Sequence, residues 1–343
     1  MSNKLLSRDQ FRNNVFLRDN YKCVVCGEPA KDAHHILERR LWDDEGYYLD
    51  NGVSLCSKCH IKSEQTLISC SKLRELANIT RVIIPEYMYQ DCEVDKWGNI
   101  ILSNGLRLKG ELFFDESVQK ILAPVLDQFC IYVKYPRTYH LPWSGLVTKD
   151  DRKLENTDHF NGKEVVVTVK MDGENTSAYS DYIHARSVDS RNHPSRNWVK
   201  NLHSQIQFDI PKDWRICGEN LFAKHTIEYS NLEDYFLVFS IWNERNICLS
   251  WNETIVWCDL LGLYNVPVLY TGTWDEDLIK SLYKPIYEDD RCEGYVVRLA
   301  DSFSYRDFRH SVAKYVNTQF SEDLKGRHNW SREQIVQNKL TYK

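Results

Sequence analysis

Four cysteines fall into two CxxC pairs, Cys23 with Cys26 and Cys56 with Cys59, separated by a loop of about thirty residues. Each CxxC turn aims two thiolates at one cation, and two such turns complete a tetrahedral zinc site that needs no further ligand. The other seven cysteines, Cys70, Cys92, Cys130, Cys217, Cys248, Cys258 and Cys292, show no pairing and read as small buried hydrophobes. A second chemically suggestive residue is a lysine. In EVVVTVKMDGENTSAY, Val166, Thr168 and Lys170 face one side of a strand and Val165, Val167 and Val169 the other, and the turn former Asp172-Gly173 follows. Partial burial and nearby cations would lower the pKa of an amine at that strand end and expose its lone pair for attack. Taken alone, a KxDG match is more often a surface lysine before a turn.

The elements that must position these groups divide the chain into four stretches. Residues 1–85 are dense in Cys and His and read as a small metal-stapled module. Residues 86–130 read as a connector, with short strands around the DKWGN and SNG turns and a helix, ESVQKILAPVLDQF, interrupted near Pro124. From 131 to 330, short runs rich in Val, Ile, Tyr and Phe alternate with polar loops, as in antiparallel sheets with packed helices. Residues 331–343 form a tail in which SREQIVQNKL has a helix-like pattern. The expected class is α+β.

Between the two CxxC pairs lie AHHIL, with His34 and His35, and DNGVSLCSKCH, with Asn51 and His60. This combination resembles the HNH family, whose fold is a ββα-metal unit. The resemblance implies His35 as general base on water, Asn51 as the residue that holds it, and His34 and His60 as ligands of one divalent metal. Such a site hydrolyses phosphodiesters. The same histidines also serve packing or phosphate binding beside a zinc knuckle, and both roles stay open.

Downstream of KMDGEN come HARS with Arg186, RICGENLF with Glu219, YFLVFSIW with Phe239, EGYVVR with Glu293 and SVAKYV with Lys314. The ordered set resembles the covalent nucleotidyltransferase superfamily of polynucleotide ligases and capping enzymes. Asn175 and the segment after it are similar to RNA ligases of the duplex-sealing type, and KYPRTYHLPWS at 134–144 to the lead-in of one RNA ligase branch. The resemblance implies an ATP-dependent RNA ligase with Mg2+ or Mn2+ and a nucleic acid partner, RNA or an RNA-containing duplex.

Residue by residue, it implies that Lys170 takes AMP from ATP, Glu219 binds the ribose, Glu293 helps position the metal, and Lys314 neutralises the α-phosphate. Phe239 would stack on adenine or belong to the core. Arg186 would hold AMP or a 5′-phosphate, with Asp172, Gly173 and Asn175 completing the nucleotide wall. One departure is Val312, where many ligases carry a first lysine of a KxK motif; Lys224, Arg298 and Arg309 are candidate replacements. The remainder after Lys314 is also too short for an OB-fold, so the N-terminal module is expected to hold the nucleic acid instead.

Composition agrees with an enzyme of this kind. Hydrophobic residues make up 42% and charged residues 27%, the balance of a globular protein. The formal net charge of −5 means that phosphate binding must come from local basic surfaces. Arg186, Arg191, Arg196 and Lys200 form one such stretch, and Arg306, Arg309, Lys314, Lys325 and Arg327 another. The start, MSNKLLSRDQFR, has no apolar signal region, so a cytoplasmic location with reduced thiols is expected.

Overall fold

The computed structural model describes residues 4–88, 92–102, 105–145, 151–188, 190, 192–318 and 335–341. The chain divides into two units, Met1–Val133 and Lys134–Lys343.

In the first unit, α1 (Arg8–Arg18) starts at a capping box in which Ser7 and Gln10 exchange side-chain and backbone hydrogen bonds. Strands β1 (Asp32–His35) and β2 (Gly52–Leu55) pair antiparallel, with His34 opposite Val53, and lead into α2 (Ser57–Glu64). After α3 (Cys70–Leu76), the short strands β3 (Glu93–Val94), β4 (Ile100–Ile101) and β5 (Arg107–Leu108) form a three-stranded sheet. Helix α4 (Glu116–Leu122) gives way to a 3-10 turn at Ala123–Gln128, because Pro124 cannot donate a helical N–H. Leu112, Val118, Leu122 and Val125 pack in one core with Cys23, Leu37, Val53 and Leu55. The stretch expected to be a connector therefore shares the core of the cysteine-rich module.

The second unit is built on two sheets. One joins β6 (Tyr139–His140), β7 (Glu164–Val169), β14 (Val268–Thr273), β17 (Gly294–Leu299) and β19 (Val312–Val316) in the order β14-β7-β17-β19-β6. The other contains β8 (Glu174–Ala178), β9 (Ile183–Ala185), β10 (Arg215–Asn220), β11 (Phe236–Trp242), β12 (Ile247–Cys248) and β18 (Phe303–Ser304), with β13 (Tyr264–Asn265) beside β11. A hairpin of β15 (Ile286–Tyr287) and β16 (Asp290–Arg291) precedes β17.

Alternation along β7 decides the layering. Val166 faces a core shared with Leu237 of β11 and Val316 of β19, between the sheets, whereas Val165 and Val167 face Trp274 and Ile279. Helix α7 (Glu276–Ser281) covers that outer face. Helices α5 (Asn197–Ile206) and α6 (Trp251–Leu261) cover the outer face of the second sheet through Val199, Ile206 and Cys258. A strand buried on both faces reads as a continuous valine run, as EVVVTV does. The architecture is mixed α+β with mostly antiparallel pairing.

The tail differs from its expected helix. Residues 335–341 are not helical and make isolated bridges from Gln337 to Ala223 and from Leu340 to Leu232; residues 331–334 lie outside the described ones. Arg191, Lys325 and Arg327 of the basic stretches also lie outside them. Among the described residues, no helix is long and apolar enough to cross a membrane.

Candidate functional site

Lys170 is the first residue beyond β7, and the pairing with β17 sets its surroundings. Its backbone N–H donates to Gly294 O at 2.9 Å, while Val169 lies opposite Tyr295. Glu293 immediately precedes β17, so the two side chains meet, with Nζ 2.5 Å from Oε2. They are 23% and 7% exposed, which leaves the amine within reach of a ligand and the carboxylate behind it. A side chain at Gly294 would overlap the carbonyl oxygen of Tyr315 on β19, so glycine is required for the strands to close here.

Burial disfavours a charge on Lys170, but the carboxylates of Glu293, Glu219 and Asp172 outweigh it and raise the pKa. The expected lowering is thus reversed, because the close neighbours are anions. Burial also raises Glu293, with Lys170 opposing it. Burial pushes Glu219 up to about 8, again against the pull of Lys170.

Glu219 lies on β10 and accepts the N–H of Gly173 at 3.0 Å. Gly173 sits against the end of that strand, where a Cβ would stand 2.5 Å from Asn220 O. The Asp172 carboxylate accepts the backbone N–H groups of Thr226 (2.7 Å) and Ile227 (2.8 Å), and the Asp172 N–H donates to the Tyr229 hydroxyl at 2.8 Å. Asp172 therefore fastens the loop after β10 to the turn that follows Lys170.

Asn175 is paired opposite Glu219, and its buried Oδ1 has no hydrogen-bond partner among the described residues. A buried acceptor left open beside a cleft points to a ligand donor. On β11 the register jumps from Cys217↔Ser240 to Gly218↔Val238, so Phe239 has no partner across the ladder. Such a bulge re-aims a side chain. Phe239 is the half-buried residue of an otherwise buried strand, set edge-on to Tyr135 at 5.2 Å.

Lys314 on β19 lies opposite Val296 and beside His140 of β6, which is how the 134–144 lead-in reaches the cleft. Its Nζ is 3.7 Å from Asp151 Oδ1, and His140 Nε2 is 3.3 Å from the same oxygen. Burial lowers Lys314 to about 8, with the Lys170 and Arg186 charges adding to the effect. Arg186, exposed just after β9, is thereby the cation that shares this field. Val312 is buried against Tyr135 and Trp242. Of its candidate replacements, Arg298 is spent on the carbonyls of Phe239, Leu249 and Leu299, and Lys224 pairs with Glu228 at 2.7 Å. Arg309 lies in the short helix before β19. In the basic stretch near 190, Arg196 grips both oxygens of Glu174, at 2.6 and 2.5 Å.

Residues 163–316 match the RNA ligase family model. The matched segment holds Lys170, Glu219, Phe239, Glu293 and Lys314, so the family match covers the candidate site residues. Among solved structures, a Naegleria gruberi RNA ligase variant with ATP and Mn is similar at 19% identity, over 50% of this chain and 54% of its own, with a TM-score of 0.38. Another variant of that ligase, with AMP and Mn, shares 16% identity over 92% of this chain and 83% of its own, at 0.40. An archaeal ATP-dependent RNA ligase shares 18% over 55% and 49%, at 0.36. The chain spans about half the length of the first of these ligases. A comparison with curated proteins finds no match.

Outside the ligase-like segment, the first unit brings two clusters together. The thiols of Cys23, Cys26, Cys56 and Cys59 all lie within 4.8 Å of one another, and Cys26 Sγ is 3.6 Å from Cys56 Sγ. Zinc–sulfur bonds of about 2.3 Å at tetrahedral angles require sulfur separations of roughly 3.8 Å, so the set fits zinc and is too open for a disulfide there. Cys56 caps the N-terminus of α2, and the Cys59 backbone N–H helps draw its thiol down to about 7.

The second cluster is His34, His60 and Glu64, with donor atoms likewise within 4.8 Å. Glu64 was not anticipated, although its place four residues after His60 on a helix was the available signal. Glu64 Oε1 is 3.3 Å from His34 Nδ1, 3.1 Å from His60 Nε2 and 3.2 Å from the buried Lys96 Nζ. The donor set suits a divalent cation, which would have to compete with the Lys96 ammonium. Burial and the Lys96 charge lower both His34 and His35 to about 3, so both rings are neutral. His35 stacks on Phe11 at 4.4 Å, and its buried Nε2 has no partner among the described residues. Asn51 does not hold that ring as expected. Its amide accepts Leu37 N–H at 2.9 Å and donates to Leu37 O (3.1 Å) and Gly46 O (3.2 Å), locking backbone instead.

Proposed function

We propose that this chain is an ATP-dependent RNA ligase that carries AMP on Lys170, transfers it to a 5′-phosphate end and seals that end to a 3′-hydroxyl in nucleic acid repair. The observation that carries the proposal is the Lys170 amine, 2.5 Å from Glu293 in a partly open cleft within the segment that matches RNA ligases. A lone ammonium there would be inert. Its neighbour is a buried carboxylate whose pKa is raised, a proper acceptor for the proton that must leave before the amine attacks.

The amine then forms a bond to the α-phosphorus of ATP while the bond to pyrophosphate breaks. Lys314 and Arg186 offset the charge that spreads over the α-phosphate, Glu219 receives the ribose hydroxyls, and Phe239 offers a ring to adenine. Asn175 Oδ1 accepts from the nucleotide, and Asp172 and Gly173 shape the wall. A Mg2+ or Mn2+ ion would supply further charge at the phosphates, and Glu293 would help to position it whenever its carboxylate is ionised. In the first unit the four cysteines would hold a structural Zn2+. Incubation with labelled ATP and magnesium, followed by denaturing electrophoresis, tests the proposal; absence of label on the intact protein would overturn it.

A second reading adds a hydrolytic activity to the first. It rests on the His34, His60 and Glu64 cluster beside neutral His35, the donor set and base of an HNH-type nuclease. Cleavage of single-stranded or duplex substrate that requires a divalent cation and is lost in His35→Ala supports it. Cleavage that survives that substitution does not.

A further inference from the structure

The last described stretch of the chain returns to the loop that follows β10. Asn338 is 1% exposed, and its side chain is fully engaged there: Oδ1 accepts the N–H of Tyr229 at 2.9 Å and Nδ2 donates to Leu221 O at 2.8 Å. Its backbone N–H donates to Phe222 O at 3.1 Å, and its carbonyl accepts the Tyr235 hydroxyl at 2.9 Å. On either side, Lys224 N–H donates to Val336 O (2.7 Å), Lys339 N–H to Tyr229 O (2.9 Å) and Leu232 N–H to Lys339 O (3.0 Å). Leu340 packs against the core that contains Met171, Ile227 and Tyr229. Both ends of the loop, near Leu221 and near Leu232, are therefore held by one short segment.

That loop is also the one that grips the turn after Lys170. Thr226 and Ile227 donate to the Asp172 carboxylate, Tyr229 receives the Asp172 N–H, and Glu219, on the strand leading into the loop, receives the Gly173 N–H. Contacts thus run from the tail to the loop, and from the loop to the turn that follows Lys170.

We infer that residues 335–341 are a strap that positions the nucleotide wall of the cleft, with Asn338 as its central positioning residue. A loop of this length without a strap exposes backbone groups that water can satisfy, so the loop would sample many conformations and release Asp172. The strap restricts it to the one in which two N–H groups converge on the carboxylate. The segment touches none of the reacting groups named above and acts through the loop alone.

The inference rests on the ligase reading for its kinetic readout and is independent of it for a second one. Full-length protein, Asn338→Ala and a chain ended after residue 334 would be compared for the ATP dependence of AMP labelling and for amide hydrogen exchange. The half-saturating ATP concentration should rise on the order of tenfold or more in both variants, with a smaller fall in maximal rate, as expected when binding groups are misplaced rather than removed. Exchange at the Thr226 and Ile227 amides should accelerate while the β7 and β17 amides stay protected. An unchanged ATP dependence with unchanged exchange at those two amides overturns the inference. So does a loss of protection spread evenly over β7 and β17, which is the signature of a strap that only stabilises the unit. If the full-length protein takes no label but the variants still free Thr226 and Ile227 selectively, the ligase reading falls and the strap stands.

Discussion

Lys170 and Glu293 are separated by 123 positions in the chain and by 2.5 Å between Nζ and Oε2. The antiparallel pairing of β7 with β17 brings them together at the end of a sheet, and the low exposure of both makes the contact strong. The pair favours the charged form of the amine. Under the proposed ligase reading, activation of the lysine would depend on what a nucleotide and its cation do to this ion pair.

Lys170→Ala should abolish AMP labelling while the protein still folds, with a lowered melting transition because Glu293 is left buried without its ion-pair partner. Lys170→Arg should be equally inactive, since a guanidinium stays protonated. Labelling by either variant at more than a trace of the wild-type level would remove Lys170 as nucleophile.

The ligand-free protein should lose stability as pH rises from about 4.5 to about 8, through Glu219. Its pKa is near 4.5 in the unfolded chain and about 8 when folded, so in that window the folded state binds more protons than the unfolded one. The contribution is fully present below the lower value and gone above the higher. Glu219→Gln cannot ionise and should flatten this part of the profile. Denaturant unfolding measured across the window decides the matter, and an unaltered slope in the variant would count against a buried protonated Glu219.

One zinc per chain should be found by metal analysis, bound by Cys23, Cys26, Cys56 and Cys59. Structural zinc sites contribute on the order of 10 kcal/mol, so chelation or Cys56→Ala should unfold the first unit. Cys23 and Cys59 belong to the core that also contains Val118 and Leu122, so unfolding should extend through α4. The second unit has its own cores and should keep its fold. Folded, unchelated protein without zinc would contradict this.

Removing residues 1–133 should spare AMP labelling and reduce sealing of nicked substrates by on the order of a hundredfold, the scale expected when a positioning surface is lost but the chemistry is untouched. A cut at residue 85 should behave worse than a cut at 133. It would leave Leu112, Val118 and Leu122 without the partners that bury them. Equal sealing by the full chain and the chain starting at residue 134 would show that the first unit takes no part in joining.

Much of this protein is legible from its sequence because the relevant signals are local. The CxxC pairs specify a four-thiol cluster by spacing alone, and the valine run of β7 announces a strand buried on both faces. Other features depended on tertiary structure. Whether Lys170 is raised or lowered is decided by carboxylates that arrive from β10 and from the start of β17, and no local pattern carries that sign. The HNH resemblance implied that the Asn51 side chain holds His35, yet its amide is consumed by the backbone of Leu37 and Gly46 once β1 and β2 have paired. The tail is rich in good helix formers, but residues 335–341 are not helical, because Asn338 and its neighbours satisfy their hydrogen bonds on a loop roughly a hundred positions earlier. Spacing and alternation record what a segment can do by itself. Which charges meet, and which backbone groups find partners, is decided by contacts that exist only after the chain has folded.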